Sequence, residues 1–186
     1  MLRYFLASNA PEKKDSDFSF KEFQQKTNKD LCDVFGNLVN RTFTFIKKNY
    51  DNTIPERKEL DSDDNEFIKQ MEEFPKLIDD LFRTFRVREA CHEIMNCARV
   101  SNRYFDAKQP WNLVKTDKDK CGTVLNLLAN AIRMITTLIS PITPIKSQEL
   151  MEMIGYEKEL TSECWKSFEE CDITGLKLGN VKRLFN

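Results

Sequence analysis

The sequence predicts an all-α fold, an antiparallel bundle of about five helices. Three observations carry that prediction. Apolar residues recur at the i, i+3, i+4, i+7 spacing of one helical stripe over most of the chain. Only 5 glycines and 6 prolines punctuate 186 residues, too few for many short strands and turns. The segments between periodic runs are short enough for sequential helices to pack on one another. With 40% apolar and 32% charged residues, the chain is globular and long enough for one sizeable core.

Each element follows from its own signal. Leu2, Phe5 and Leu6 share a face of a short helix that ends at Asn9-Ala10-Pro11. Ser19 and Glu22 fit a capping box, and Phe18 and Phe23 fit the hydrophobic staple around it, so a helix starts near Phe20. Leu31, Val34, Phe35, Leu38, Thr42, Phe45 and Ile46 continue its stripe to about Asn49, before the turn-rich Asp51–Pro55. The acidic stretch Asp61–Asn65 suits a helix start. Phe67, Ile68, Met71, Phe74, Leu77, Ile78, Leu81, Phe82 and Phe85 follow, with a kink or break expected at Pro75. The next helix, about Val87 to Lys108, buries Val87, Ala90, Cys91, Ile94, Ala98, Ser101 and Phe105. A fourth long helix covers about Lys120 to Ser140. Thr143 then caps a short helix with Pro144 at its first position, and Gly155 stops it. The tail from Tyr156 has apolar residues without period and is expected to pack back across the bundle.

Composition excludes several function classes. A formal net charge of -1 argues against RNA or DNA binding by bulk charge, leaving room for a local basic face. No stretch approaches about 18 consecutive apolar residues, so no membrane partner is expected. The six cysteines form no C-x-x-C pair and lack metal spacing, and read as reduced, buried thiols of a cytoplasmic protein. His92 adjoins Cys91, but adjacent helical residues point about 100° apart and do not face each other. G-x-G-x-x-G and G-x-x-x-x-G-K-[ST] are both absent. Glu72, Glu73, Asp79 and Asp80 read as solvated surface charge. No catalytic residue and no metal site is expected.

Two features stand apart. Pro110 disfavours helical geometry at Gln109, so the long helix ends there and Trp111 sits just past its end, ahead of the polar run Lys115–Lys120. A large aromatic there can plug the core or offer a stacking surface, and the stretch alone leaves both open. Asn37 and Arg41, four residues apart, stack on one flank of the apolar stripe, while Asn40 points away. They can be an amide and a donor fork aimed at the edge of a flat heterocycle, or ordinary residues of the bundle rim. Asn102 lies on the margin of its helix's apolar face, which favours a structural hydrogen bond over a ligand contact. Arg103 faces solvent and can meet a phosphate, and Lys47, Lys48 and Lys115 can add charge.

These features occur in a fixed order: Leu2-Arg3-Tyr4-Phe5-Leu6, Pro11-Glu12, Asp15-Ser16-Asp17-Phe18-Ser19, Asn28, Phe35-Gly36-Asn37-Leu38-Val39-Asn40-Arg41, Ala98, Asn102-Arg103-Tyr104 and Gln109-Pro110-Trp111. The order and spacing resemble the anticodon-binding domain of methionyl-tRNA synthetase, a class I aminoacyl-tRNA synthetase. The blocks look more like those of eukaryotic, archaeal and some bacterial members than the enterobacterial form. The resemblance covers nearly the whole chain and weakens after about residue 145. Phe20 stands where many members have Trp, a departure expected to concern packing alone.

The resemblance implies a bundle that binds the CAU anticodon loop of methionine tRNA. Trp111 would stack on the wobble cytosine, Asn37 and Arg41 would reach its polar edge, and Pro110 would shape the platform. Residues 1–14 would be the end of a linker from a catalytic region, 15–155 the recognition bundle, and 156–186 the segment packing back on it. The H-I-G-H and K-M-S-K-S adenylation motifs are absent. ATP and Mg²⁺ would therefore belong to the full-length parent, with no cofactor here, and the partners would be tRNA and the parent's catalytic domain. The residue chemistry is compatible: cytosine offers acceptors at N3 and O2, whereas uracil turns a donor at N3 toward a guanidinium that only donates. The anticodon domain of another class I synthetase, or a helical interaction domain without RNA, are the alternatives.

Overall fold

The computed structural model describes residues 1–12, 15–156, 172–182 and 184–185. Its described elements are α1 (Leu2–Ser8), α2 (Phe20–Thr27), a π-helical segment (Asn28–Gly36), α3 (Asn37–Asn49), α4 (Ser62–Arg83), α5 (Val87–Lys108), α6 (Pro110–Thr116), α7 (Lys118–Ile139) and α8 (Pro144–Ile154). The all-α bundle is as the sequence predicts.

Helix α7 is the centre. Every residue from Cys121 to Ile139 is buried, and α3, α4, α5, α6 and α8 all pack against it. By length and composition it would suffice to cross a membrane, contrary to the expectation that no stretch comes near, but here the other helices enclose it completely. Its buried polar residues are bonded outward. Asn126 donates to the Pro55 carbonyl at 2.7 Å and accepts from Arg57 Nε at 2.7 Å. Asn130 Oδ1 accepts from the Ile173 backbone at 3.2 Å, and Thr123 Oγ1 accepts from the Lys58 backbone at 2.9 Å. These side chains hold the α3–α4 connection and the stretch after residue 172 against the helix, and their satisfied polar groups make the burial affordable. The same stretch is tied to the turn before α4, with Leu178 N donating to Asn52 O and Ile54 N to Leu176 O. Trp165, Phe168, Cys164 and Cys171 lie outside the described residues.

Helix starts and stops follow the local chemistry. Ser19 caps α2 by accepting from Glu22 N, and the Phe18 and Phe23 rings lie 6.3 Å apart as a staple. Asp61 and Asp64 form a reciprocal capping box at the start of α4. Gly155 ends α8 in the left-handed conformation that a side chain would strain.

Five expectations need correction. In α1 the buried face is Tyr4, Phe5 and Ser8, while Leu2 and Leu6 are exposed, because the Tyr4 hydroxyl reaches inward to Asp30 at 2.9 Å. The run from Phe20 to Asn49 is continuous but not uniformly α-helical. Asn28–Gly36 is π-helical, and a Cβ at Gly36 would lie 3.0 Å from the Leu31 carbonyl oxygen, so the wide turn closes tightly there. Pro75 is buried inside an unbroken α4. Its missing N–H costs one internal hydrogen bond, which packing of the surrounding apolar face offsets. Thr143 takes the N-cap position of α8, but its side chain makes no cap bond and turns to the Ile139 carbonyl and Ser147 instead. Trp111 lies in helix rather than after one, since α6 starts at Pro110.

One buried charge cluster fixes the directions of the long helices. Asp64 is 0% exposed. It accepts from the Tyr104 hydroxyl at 2.7 Å, pairs with Lys108 at 3.0 Å, and takes a short hydrogen bond from Lys120. Lys108 also reaches Asp61 at 2.6 Å, as Lys120 does at 2.8 Å. The end of α5 thus lies beside the starts of α4 and α7, which makes α5 antiparallel to both. Burial alone would push the Asp64 carboxyl up. Hydrogen bonds from Lys120, Tyr104, the Asp61 backbone and Lys108 outweigh it and hold the carboxyl below the usual carboxylate range. Asp61 is held down by the same two lysines against its own desolvation. A carboxylate with a lowered folded pKa stabilises the fold above its unfolded value and loses that contribution as pH falls through the folded one. The unfolding free energy should therefore decline as pH drops below about 4. Asp64→Ala should cost about 3 kcal/mol at pH 7 and flatten that acid decline, both read from urea denaturation across pH.

Candidate nucleic-acid interface

The site is assembled by two helices distant in sequence. After Gly36 the chain returns to α-helix, so Asn37 and Arg41 lie one turn apart on the rim of α3. The π-helical segment immediately before them sets their phase, and such segments often adjoin functional positions. At the far end of α5, Gln109 adopts φ 48°, ψ 61°, a left-handed stop that lets Pro110 start α6 at once. Pro110 is buried at the first helical position, where its fixed φ is already helical and no N–H is missed. Asn112 closes the turn by donating to the Gln109 side chain at 2.8 Å. Trp111 is thereby placed on a rigid corner, 39% exposed.

Phe105 joins the two parts. It is 1% exposed, with its ring 6.0 Å from Phe45 in an edge-on contact and 6.1 Å from Trp111 at an interplanar angle of 33°. The Arg41 guanidinium carbon stands 4.1 Å from the Phe105 ring centroid, a cation–π contact. Asp106 adds a charged hydrogen bond to Arg41 Nη2 at 2.5 Å. Arg41 is 28% exposed, so the fork is oriented but reachable. Trp111 is neither a core plug nor a free platform: one part of the ring packs on Phe105, and the rest is exposed.

Of the sequence-predicted residues, Arg41 and Trp111 come together on Phe105, with Pro110 next to Trp111 at the start of α6. Asn37 is exposed one turn before Arg41, and it also lines a cleft of about 510 Å³ with Asn40 and Phe185. Arg103 is exposed on α5, away from the Phe105 contacts. Asn102 is structural, as expected, donating to the carbonyls of Val34 and Ala98 at 3.0 and 3.1 Å. Phe105 and Asp106 were not expected at the site. Phe105 reads as core in the sequence and is core, and only its neighbours reveal its second contact. Asp106 had a weak signal, as an acid on the exposed face of α5 within the Asn-Arg-Tyr-Phe-Asp block.

Other chemistry is sparse among the described residues. No three His, Cys, Asp or Glu side chains gather where they could hold a metal ion. Burial pushes the Cys91 thiol up to about 12, which keeps it protonated and unreactive. His92 pairs with Glu93 at 3.0 Å.

Comparison with known proteins places the chain by class and then by family. Residues 1–43 match the model described as class I (M) tRNA synthetases, so the bundle is a module of the class I synthetase type. Residues 54–183 match the model for the anticodon binding domain of methionyl tRNA ligase, and the chain belongs to that family. Similar relatives include the methionine–tRNA ligase of Pyrococcus furiosus, 38% identical over 86% of this chain and 22% of the relative. That of Phocaeicola vulgatus is 37% identical over 100% of this chain and 27% of the relative. The chain thus spans about a quarter of the length of these relatives. The fold is shared with Mycobacterium tuberculosis methionyl-tRNA synthetase bound by methionyl-adenylate, with TM-score 0.90 and 22% identity over 100% of this chain and 37% of that one.

The half-exposed position of Trp111 and the full burial of Phe105 give a clear stability contrast. Trp111→Ala should lower unfolding free energy by no more than about 1.5 kcal/mol, the scale of one aromatic contact. Phe105→Ala should lower it by about 3–5 kcal/mol. Chemical denaturation of both variants checks this.

Proposed function

We propose that this chain reads the CAU anticodon loop of methionine tRNA as the recognition bundle of a methionyl-tRNA synthetase. Family membership supports the ligand. The observation that carries the mechanism is that Arg41 and Trp111 pack on one Phe105 ring, so a donor fork and an exposed aromatic face are held at a fixed separation. A base splayed from the loop stacks on Trp111, which contributes affinity whatever the base. Arg41 donates to the N3 and O2 acceptors of cytosine, and the exposed Asn37 amide donates or accepts beside it. Asp106 keeps the fork pointed while the site is empty. Its negative charge also opposes a phosphate at that spot, so entry is favoured for a base edge that itself satisfies the guanidinium. Arg103 is placed for a backbone phosphate.

In this reading residues 15–155 are the recognition bundle, 1–14 lead in from the catalytic region, and 156–186 pack back on it. The full-length parent is a cytoplasmic enzyme that attaches methionine to its tRNA with ATP and Mg²⁺. On this reading, ATP and Mg²⁺ are handled by the rest of the parent.

Binding of the 186-residue chain to anticodon stem-loops differing only at the wobble base tests the reading. Cytosine should be preferred to uracil by about 1–3 kcal/mol. Trp111→Ala should weaken every loop by about 1–3 kcal/mol, whereas Arg41→Ala should narrow the gap between the two bases. Weak binding governed by salt and equal for all loops would sink the proposal.

A further inference from the structure

A second feature lies along the same pair of helices as the base site. The continuous α2–π–α3 run and α5 lie side by side and parallel, joined in order by Asp30–Arg99 at 3.6 Å, Val34–Asn102 at 3.0 Å and Arg41–Asp106 at 2.5 Å. Toward the start of α5, away from Trp111, this pair and α1 enclose a cleft of about 600 Å³, floored by the buried rings of Tyr4 and Phe5. Lys26, Lys29, Arg88 and Arg99 line it, against the carboxylates Glu22 and Asp30.

The charges are not mutually cancelled. Asp30 is already used, accepting from the buried Tyr4 hydroxyl and facing Arg99. Glu12, nearby, accepts from the Arg88 backbone N–H at 2.7 Å and leaves that guanidinium untouched. Among the described residues the side chains of Lys26, Lys29 and Arg88 have no ion-pair partner. On a chain of net charge -1 this is a local cationic surface, and it is concave. From Asp106 back to His92 at the cleft is about 21 Å along α5 at 1.5 Å per residue. That is well beyond the reach of one nucleotide and suited to a strand leaving the loop.

We propose that this cleft takes phosphate oxygens of the RNA strand that runs from the anticodon loop into the stem. The inference rests on the base site at Trp111 for its direction, since a base held there leaves the strand to follow the pair of helices. Backbone contacts of this kind position the RNA without reading it, and each neutralised phosphate releases counterions. Lys26 and Lys29 act as point charges, while Arg88 can grip two oxygens of one phosphate. Tyr4 and Asp30 hold Arg99 in place rather than touching RNA.

The test uses the triple variant K26Q/K29Q/R88Q of the 186-residue chain. It is compared with the unaltered chain on full-length tRNA bearing a CAU anticodon, and on a hairpin with the same loop and a stem of three base pairs. Circular dichroism melts confirm that both proteins are folded. The variant should bind full-length tRNA more weakly, with the slope of log K against log salt shallower by about 2. Its binding to the short hairpin and its cytosine-to-uracil ratio should stay unchanged. An unchanged salt slope on full-length tRNA would overturn the proposal, and so would an equal loss on both RNAs. If the slope persists while full-length parent enzyme carrying the same substitutions melts earlier, the cleft holds a protein surface and not RNA. A failure of the base site shows separately, as a missing wobble preference in the unaltered chain.

Discussion

The position of the recognition surface depends on the carboxylate of Asp64. It is fully buried, and it binds Lys108, Lys120 and Tyr104 together. Lys108 is the last residue of α5, immediately before the left-handed Gln109 and the Pro110 corner, and Lys120 lies in the first turn of α7. The knot therefore clamps both flanks of α6, the helix that carries Trp111. An apolar cluster of equal volume would be as stable or more so, but contacts without direction would let the end of α5 slide. Charged hydrogen bonds fix it in one register, and the ring of Phe67 stacked on Tyr104 at 4.1 Å closes the cluster from the α4 side.

A second economy lies in Phe105. Its ring fills the core against Phe45 and also supports both Arg41 and Trp111. Core packing and site geometry are thus coupled through one side chain. Side chains in a close-packed interior have little room to move, so the spacing between the guanidinium and the indole is set before any RNA arrives. A preformed site loses less side-chain entropy on binding. The cost is that variation at Phe105 cannot alter the site without altering stability.

Much of this was legible in the sequence. The α5 end, the Ser19 and Asp61 starts, the Pro144 entry and the Gly155 stop all follow from caps and breakers whose effect is local. Asn102 was correctly read as structural from its place at the edge of an apolar stripe. The misreadings have a common physical source in long-range contact. Leu2 and Leu6 are as apolar as Phe5, yet the groove that receives α1 selects Tyr4 because Asp30 offers its hydroxyl a partner. The π-helical turn has no composition signal of its own, since Gly36 reads as a mild helix breaker and not as a close approach to the Leu31 carbonyl. Helix α6 was hidden by its own polarity: Lys115-Thr116-Asp117-Lys118 looks like a loop until Pro110 is recognised as a start as well as a stop. The pairing of Arg41 with Asp106, and the sharing of Phe105, join residues about sixty positions apart, and no local pattern encodes that.

The charge distribution completes the division of labour. A protein of net charge -1 cannot hold RNA by a general field, and at physiological ionic strength surface charges beyond about 8 Å are largely screened. Attraction must then come from cations presented close to the phosphates, and selectivity from groups that face a base. In the proposed arrangement the α2–π–α3 run and α5 separate these tasks along their length. At one end Arg41 is already neutralised by Asp106, which suits it to choosing among bases and ill suits it to gathering phosphate. At the other end Lys26 and Lys29 carry no such partner among the described residues. On the proposed reading, a paired arginine at the base site and unpaired lysines in the cleft would keep a nonspecific phosphate from the position where a base is to be recognised.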